Sequence, residues 1–364
     1  MNRLLKSPWI EILVMILVLV ISYLALALIG IGAETPEGGY SGIAIWGWLF
    51  GFFFISFAIA MIAVIGGIGG GVLFTPFMLA FTSVDSLIVR ATGLIVAMFS
   101  GLISTGPFMR RGLANLRISI YCAAAYGIGA FAGAQGAIVV AKSLGETGEG
   151  FVRLALGIIL LSLAVYFVVG GKKIEWPEVK RVDGYTKWLK LSQPYYEVSL
   201  NKIVDYPLTR AGWVLAAIIG VGLLSGFFGL GAGWAIVPAQ NLIMAVPLKV
   251  AAANSGVLLG MGDCIAVWPY LLMGAIIPLF AAPWLVGQVL GGLLGSLILI
   301  RVKAGFVRFL LIGFMFFSTF ALLKKGLFML GAIADLPLWI DGIVFLIIFG
   351  WVTQAIVKYT RSDS

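Results

Sequence analysis

Histidine is absent from the 364 residues, cysteine occurs twice, and charged residues make up only 11%. Each scarcity removes a class of function. Without histidine the chain lacks the commonest general base, proton relay and metal ligand at neutral pH. Cys122 and Cys264 both fall inside apolar runs, so neither a disulfide framework nor a thiolate metal site follows from them. A membrane-embedded enzyme would need a nucleophile with its base, or a metal cluster. The chain offers no such set, so no catalytic residue, cofactor or metal is assigned and it is read as a non-enzyme. Charge is missing over long stretches too. Ile43 to Ile65 and Ile118 to Ala141 carry no charged residue, and Val250 to Ile300 carries one, Asp263.

What is abundant is apolar side chain, 62% of the residues, with a mean hydropathy of +1.11. Soluble domains run nearer half apolar and a quarter charged. A spanning helix needs about 20 mostly apolar residues, and each uncharged run is long enough. The expected fold is an all-α polytopic membrane protein. Apolar segments lie at 8–33, 43–66, 68–83, 86–108, 117–141, 151–171, 211–230, 232–246, 249–272, 275–300, 304–323 and 336–357. Segments 68–83 and 232–246 are short and open on glycine clusters. They read as either full spans or re-entrant half-helices. The net charge of +9 does not point to nucleic acid, because the basic residues sit in short loops beside spans, as the positive-inside rule requires. Arg3 and Lys6 precede the run from Pro8 to Ala33, which is longer than a usual signal core and is expected to be a retained span.

The halves of the chain repeat. At a shift of 162, Gly67, Gly69, Gly71 and Pro76 fall on Gly229, Gly231, Gly233 and Pro238. Ala91, Pro107, Gly112 and Gly133 fall on Ala253, Pro269, Gly274 and Gly295, and Phe151-Val152-Arg153 recurs as Phe306-Val307-Arg308. The expected organisation is an extra N-terminal span with its outside loop (1–42), a first membrane repeat (43–171), a cytoplasmic linker (172–210), a second repeat (211–325) and an extra C-terminal span with a cytoplasmic tail (326–364). Charge sets the orientation. Arg3 and Lys6 place the N-terminus inside, the acidic loop at Glu34 and Glu37 lies outside, and Arg110, Arg111 and Arg117 fall inside. The basic linker falls inside as well. The second half then starts on the opposite face from the first, so the repeats are expected to be inverted, with both termini cytoplasmic in a cell-membrane protein. Lys324 and Lys325 come out on the wrong side of this scheme.

Inverted repeats with paired broken helices are a transporter architecture whose site lies near the midplane. A break frees N–H and C=O groups that lipid cannot satisfy, and free N–H groups at a helix start suit an anion. The expected substrate site therefore comprises Gly69 and Gly71 with Gly231 and Gly233. Close helix packing through small residues is the other reading. Thr92 and Gly93, and Asn254 and Ser255, follow the two hairpin turns. They can hydrogen-bond an oxyanion or serve as caps and interhelical bonds. Arg90 is a candidate substrate partner or the partner of Asp85, whereas Lys249 is expected to snorkel to the surface. Asp263 is the candidate for proton coupling, or it pairs with a cation or sits at a helix end within reach of the interface. Gln240, Asn241 and Gln288 read as polar glue. The partners implied are a small anionic substrate and the bilayer, and a homo-oligomer is compatible with the pattern. A channel could share these features and would be distinguished by single-channel currents.

The motifs GGIGGGVLFTP and FGLGAGWAIVP, each opening a half, with Ala91-Thr92-Gly93 and Ala253-Asn254-Ser255 after them, resemble the TauE/SafE family of sulfite and organosulfonate permeases. The resemblance covers about residues 44–325. The family has a Gly-Thr-Ser stretch where this chain reads Ala-Thr-Gly and Ala-Asn-Ser. The resemblance implies transport, in the export direction, of a sulfur-containing anion such as sulfite, thiosulfate or an organosulfonate such as sulfoacetate or taurine.

Overall fold

A computed structural model describes residues 17, 21, 42–81, 84–143, 145–170, 175–179, 181–334 and 336–362. Apart from positions 17 and 21, the expected span at 8–33 and its acidic loop lie outside the described residues. The chain is an all-α polytopic membrane protein. In order it forms α1 (Gly42–Gly66), α2 (Gly71–Phe81), α3 (Ser86–Arg110), α4 (Leu116–Ser143) and α5 (Gly145–Gly170). A short helix α6 (Gly184–Leu189) and a hairpin of β1 (Tyr195–Glu197) and β2 (Lys202–Val204) follow. Then come α7 (Ala211–Phe228), α8 (Gly233–Met244), α9 (Leu248–Leu272), α10 (Pro278–Arg301), α11 (Ala304–Met329) and α12 (Leu338–Ser362). Among the described residues, 7 helices are long and apolar enough to cross a membrane.

The two short segments form helices of 11 and 12 residues, α2 and α8. At about 1.5 Å per residue neither reaches across a hydrocarbon core of roughly 30 Å. Each is set off from the helix before it by a glycine turn. Gly67 and Gly229 have φ of 68° and 64°, the left-handed region where a side chain is costly. The Gly229 N–H returns to the Ser225 carbonyl at 2.9 Å and closes α7. α3 then opens on Asp85, whose carboxylate accepts from the Leu87 and Ile88 N–H groups.

Packing follows the repeat. α4 lies along α7 through Gly129, Gly133, Gly222 and Gly226, and α10 lies along α1 through Gly287, Gly291 and Gly295. A methyl group at Gly129, Gly133, Gly222 or Gly226 would run into the partner's backbone, so these glycines set how closely the helices approach. α3 packs antiparallel on α9. Met98 meets Cys264, Gly101 meets Gly260, and Ser104 meets Gly256. α5 and α11 are also antiparallel, with Gly150 beside Met329 and Gly157 beside Leu323. Lys324 does not face solvent. It is buried in an ion pair with Asp341 of α12, which accounts for a cation where the charge rule expects none.

The segment between α5 and α7 is docked onto the membrane helices. Asp183 caps α6 and accepts from the Thr186 side chain and from the N–H of Arg210, at the start of α7. Its bond from Thr186 leads in lowering its pKa from 3.8 to about 2. Glu175 pairs with Arg308 of α11 at 2.8 Å. Asn115, between α3 and α4, donates to the Leu191 carbonyl and the Tyr206 hydroxyl. Burial pushes the Tyr206 hydroxyl up to about 12, so it stays neutral at physiological pH.

Candidate functional site

The two glycine turns meet each other. Gly71 lies against the Leu230 carbonyl, and Gly233 lies against the Ile68 backbone. The same reciprocity holds around them. Gly67 faces Ala252 while Gly229 faces Arg90, and Gly69 faces Leu259 while Gly231 faces Ala97. Each pair is related by the shift of 162 seen in the sequence. The turns touch too closely for a ligand to lie directly between Gly71 and Gly233.

The first turn borders a small cavity with room for about one water molecule. It is lined by Gly67 and Gly69 of the first turn, Ser100, Gly101 and Ser104 of α3, and Ala252, Ser255, Gly256 and Leu259 of α9, with Val64 and Phe108 at its edges. Three hydroxyls therefore converge on a glycine turn. The Ser100 hydroxyl accepts from the Gly70 N–H at 3.1 Å, and the Ser255 hydroxyl donates to the Gly67 carbonyl at 2.5 Å. These bonds hold the turn against α3 and α9. Gly69 has φ of 78°, and a side chain there would strike Leu259 in the opposite wall of the cavity.

The second turn is faced by a carboxylate. Asp263 of α9 is fully buried, and its Oδ1 accepts from Tyr126 of α4 at 2.7 Å and Ser225 of α7 at 3.2 Å. Its Oδ2 has no hydrogen-bond partner and is directed at Gly231 of the second turn. Tyr126 corresponds to Gln288 at the 162 shift. The Gln288 amide nitrogen donates to Ser56, while its carbonyl oxygen lies against Gly70 of the first turn without a hydrogen-bond partner. Thus the first turn is faced by the Gln288 amide of α10 and the second by the Asp263 carboxylate of α9.

The remaining expected residues separate into distinct environments. Ser255 and Gly69 line the cavity. Gly71, Gly93 and Gly233 are packed against backbone: a side chain on Gly93 would strike the Thr75 hydroxyl and the Gly229 carbonyl. Asn254 is bonded on both ends, its Oδ1 accepting from the Asn115 N–H at 2.7 Å and its Nδ2 donating to Gln240 at 3.1 Å. It clasps α9 to α8 and to the α3–α4 loop. Thr92 is fully buried with an unpartnered hydroxyl, away from the cavity lining. Arg90 is buried and donates to the Phe227 carbonyl at 3.5 Å. Lys249 is not at the surface. It is 1% exposed and paired with Glu197 of β1 at 2.7 Å, because the docked hairpin brings a counter-charge that hydropathy alone does not reveal. Sequence reasoning did not single out Ser100, Ser104, Tyr126 or Ser225. The i, i+4 spacing of Ser100 and Ser104 was the available signal, since it puts both hydroxyls on one helix face.

Two broken helices meeting inside a bundle, each turn faced by buried polar groups, are an arrangement found in helical membrane transporters. The sequence model of the family described as "Sulfite exporter TauE/SafE" matches residues 52–322, and the chain belongs to that family. It is similar to the "Probable membrane transporter protein YunE" of Bacillus subtilis strain 168, with 25% identity over 244 residues, covering 64% of this chain and 81% of that protein. No solved structure matches it significantly. The protein is a multi-pass membrane transporter.

Proposed function

We propose that this protein is a secondary carrier that exports a small sulfur-containing oxyanion: sulfite, thiosulfate, or an organosulfonate such as sulfoacetate or taurine. The observation that carries the reading is the convergence of Ser100, Ser104 and Ser255 on the first glycine turn. The hydroxyls now donate to backbone carbonyls, including those of Ala97, Gly101 and Ala252; turned from these, they bind an oxyanion while placing no fixed positive charge against it, so release is not opposed. The cavity is smaller than such an anion, and loading requires α3 and α9 to part there. Asp263, directed at the second turn, is the proposed proton carrier. The groups facing it are Tyr126 from α4, Ser225 from α7 and Ala97 from α3, with Cys264 beside it on α9; Tyr126 and Cys264 are the titratable ones.

The repeats are proposed to be inverted, within the boundaries read from the sequence. In support, the helices that exchange with their own counterparts, α3 with α9 and α5 with α11, run antiparallel. A two-fold axis perpendicular to spanning helices would do this. Both termini and the 172–210 linker are then cytoplasmic. Uptake of radiolabelled sulfite, thiosulfate, sulfoacetate and taurine into proteoliposomes tests the function. At least one should be carried by the wild type, and Ser100→Ala with Ser255→Ala should raise its half-saturation concentration. Absence of flux for all four, or single-channel currents in place of carrier kinetics, would overturn the reading.

A further inference from the structure

Lys249 lies on the same face of α9 as the cavity residues Ala252, Gly256 and Leu259, at the helical spacing of i, i+3, i+7 and i+10. It is one turn closer to the helix start. Its ammonium is buried between the Ile300 carbonyl at the end of α10, 3.2 Å away, and the Glu197 carboxylate, 2.7 Å away. Glu197 is not part of the membrane bundle. It comes from the hairpin, where its Oε1 also accepts from the N–H and hydroxyl of Ser199 and its Oε2 accepts from the Tyr195 hydroxyl. Burial raises the Tyr195 hydroxyl above its ordinary range, and the Glu197 charge adds to this, so it remains a donor. Together these contacts place a carboxylate on the linker side of the cavity, held by the one buried ammonium on that face of α9.

We infer that Lys249 is an anion-binding station on the linker side of the cavity, and that Glu197 occupies it as an internal stand-in for a small carboxylate, sulfonate or sulfite anion. The hairpin is then a latch. An anion on its way to or from Ser255 and Ser100 displaces Glu197 from Lys249, and the hairpin lifts. This rests on the transport reading above for the anion's route, but not for the binding itself. A purely structural ion pair makes a different demand. Loss of either partner would then lower stability, and Glu197→Gln and Lys249→Gln would not move the half-saturation concentration for sulfite in opposite directions.

The test is chemical rescue in the purified full-length protein. Thermal unfolding of Glu197→Ala, Lys249→Met and wild type is measured against added acetate, sulfite and, as a control of equal ionic strength, chloride. Glu197→Ala should be stabilised selectively by acetate and sulfite, because Lys249 is left without a counter-ion, while Lys249→Met and wild type should respond no more than to chloride. If Glu197→Ala does not fold, Glu197→Gln serves, since it keeps the size of the side chain and removes the charge. In proteoliposomes, Glu197→Gln should lower the half-saturation concentration for sulfite from the linker side by roughly tenfold and Lys249→Gln should raise it, the scale expected for one charge-assisted hydrogen bond. No selective rescue, or a shift of both variants in the same direction, would overturn the station. Rescue without sulfite flux in any variant would keep the station and contradict the transport reading.

Discussion

Ser255 and Asn254 are neighbours on α9, yet the structure gives them different work. The Ser255 hydroxyl lies in the cavity wall and touches the first glycine turn, whereas both ends of the Asn254 amide are taken by Asn115 and Gln240. Ser255→Ala should therefore raise the half-saturation concentration about tenfold, given about 1.5–3 kcal/mol for a hydrogen bond to a charged group, beside the stability lost with its bond to the Gly67 carbonyl. Asn254→Leu should lower stability by about 1–3 kcal/mol through stranded partners, read as a drop in unfolding temperature, and leave the half-saturation concentration of the folded protein unchanged. The reverse pattern would assign the oxyanion to Asn254. Asp263→Asn should abolish the dependence of flux on a pH gradient while substrate exchange continues, and unchanged coupling would return Asp263 to a structural role. The sequence exposed Asp263 because an acid in a long apolar run stands alone. It did not expose Tyr126 or Ser225, since a tyrosine and a serine in spanning helices are ordinary and only the tertiary packing brings them to the carboxylate.

At the scale of elements, the glycine clusters were legible because they recur at one shift and break two helices. Their double duty was not. Gly69 borders a cavity while Gly71 and Gly233 permit backbone contact between the two turns, and no spacing rule separates these uses. The α4–α7 seam offers a clean test. Gly226→Ala pushes a methyl group into the Ala130 carbonyl and should destabilise the protein by about 1–3 kcal/mol, whereas Gly220→Ala, which meets open space, should be nearly silent in the same unfolding measurement. The linker reads as a connector because it is a hydrophilic, basic stretch joining two apolar halves. Its docking depends on a few side chains instead. Asp183 is depressed to about 2, so its anchoring contribution is present above the unfolded value of about 3.9 and is lost only as pH falls through about 2. Mild acid should therefore leave α6 in place. Asp183→Ala should loosen it at neutral pH, seen as faster proteolysis of the linker, and this exposed anchor contributes about 1 kcal/mol or less.

For the whole molecule, residues related by the shift of 162 make reciprocal contacts, from Gly67 on Ala252 and Gly229 on Arg90 outward to the antiparallel α3–α9 pair, which supports the inverted arrangement proposed above. Orientation across the bilayer was argued from charge. With Cys122 and Cys264 replaced by alanine, cysteines at Glu37 and Gly184 should label from opposite sides. Labelling of both from outside would break the inverted arrangement, because the second half would then begin on the wrong face. The function depends most on where the anion binds. A structure determined with bound thiosulfate or sulfite, using the anomalous signal of sulfur, locates it directly. The account predicts a sulfur peak within hydrogen-bonding distance of the Ser100, Ser104 and Ser255 hydroxyls, beside Gly69, with α3 and α9 parted to admit it. A peak at the Asp263 side of the turns, or one remote from both glycine turns, would contradict it.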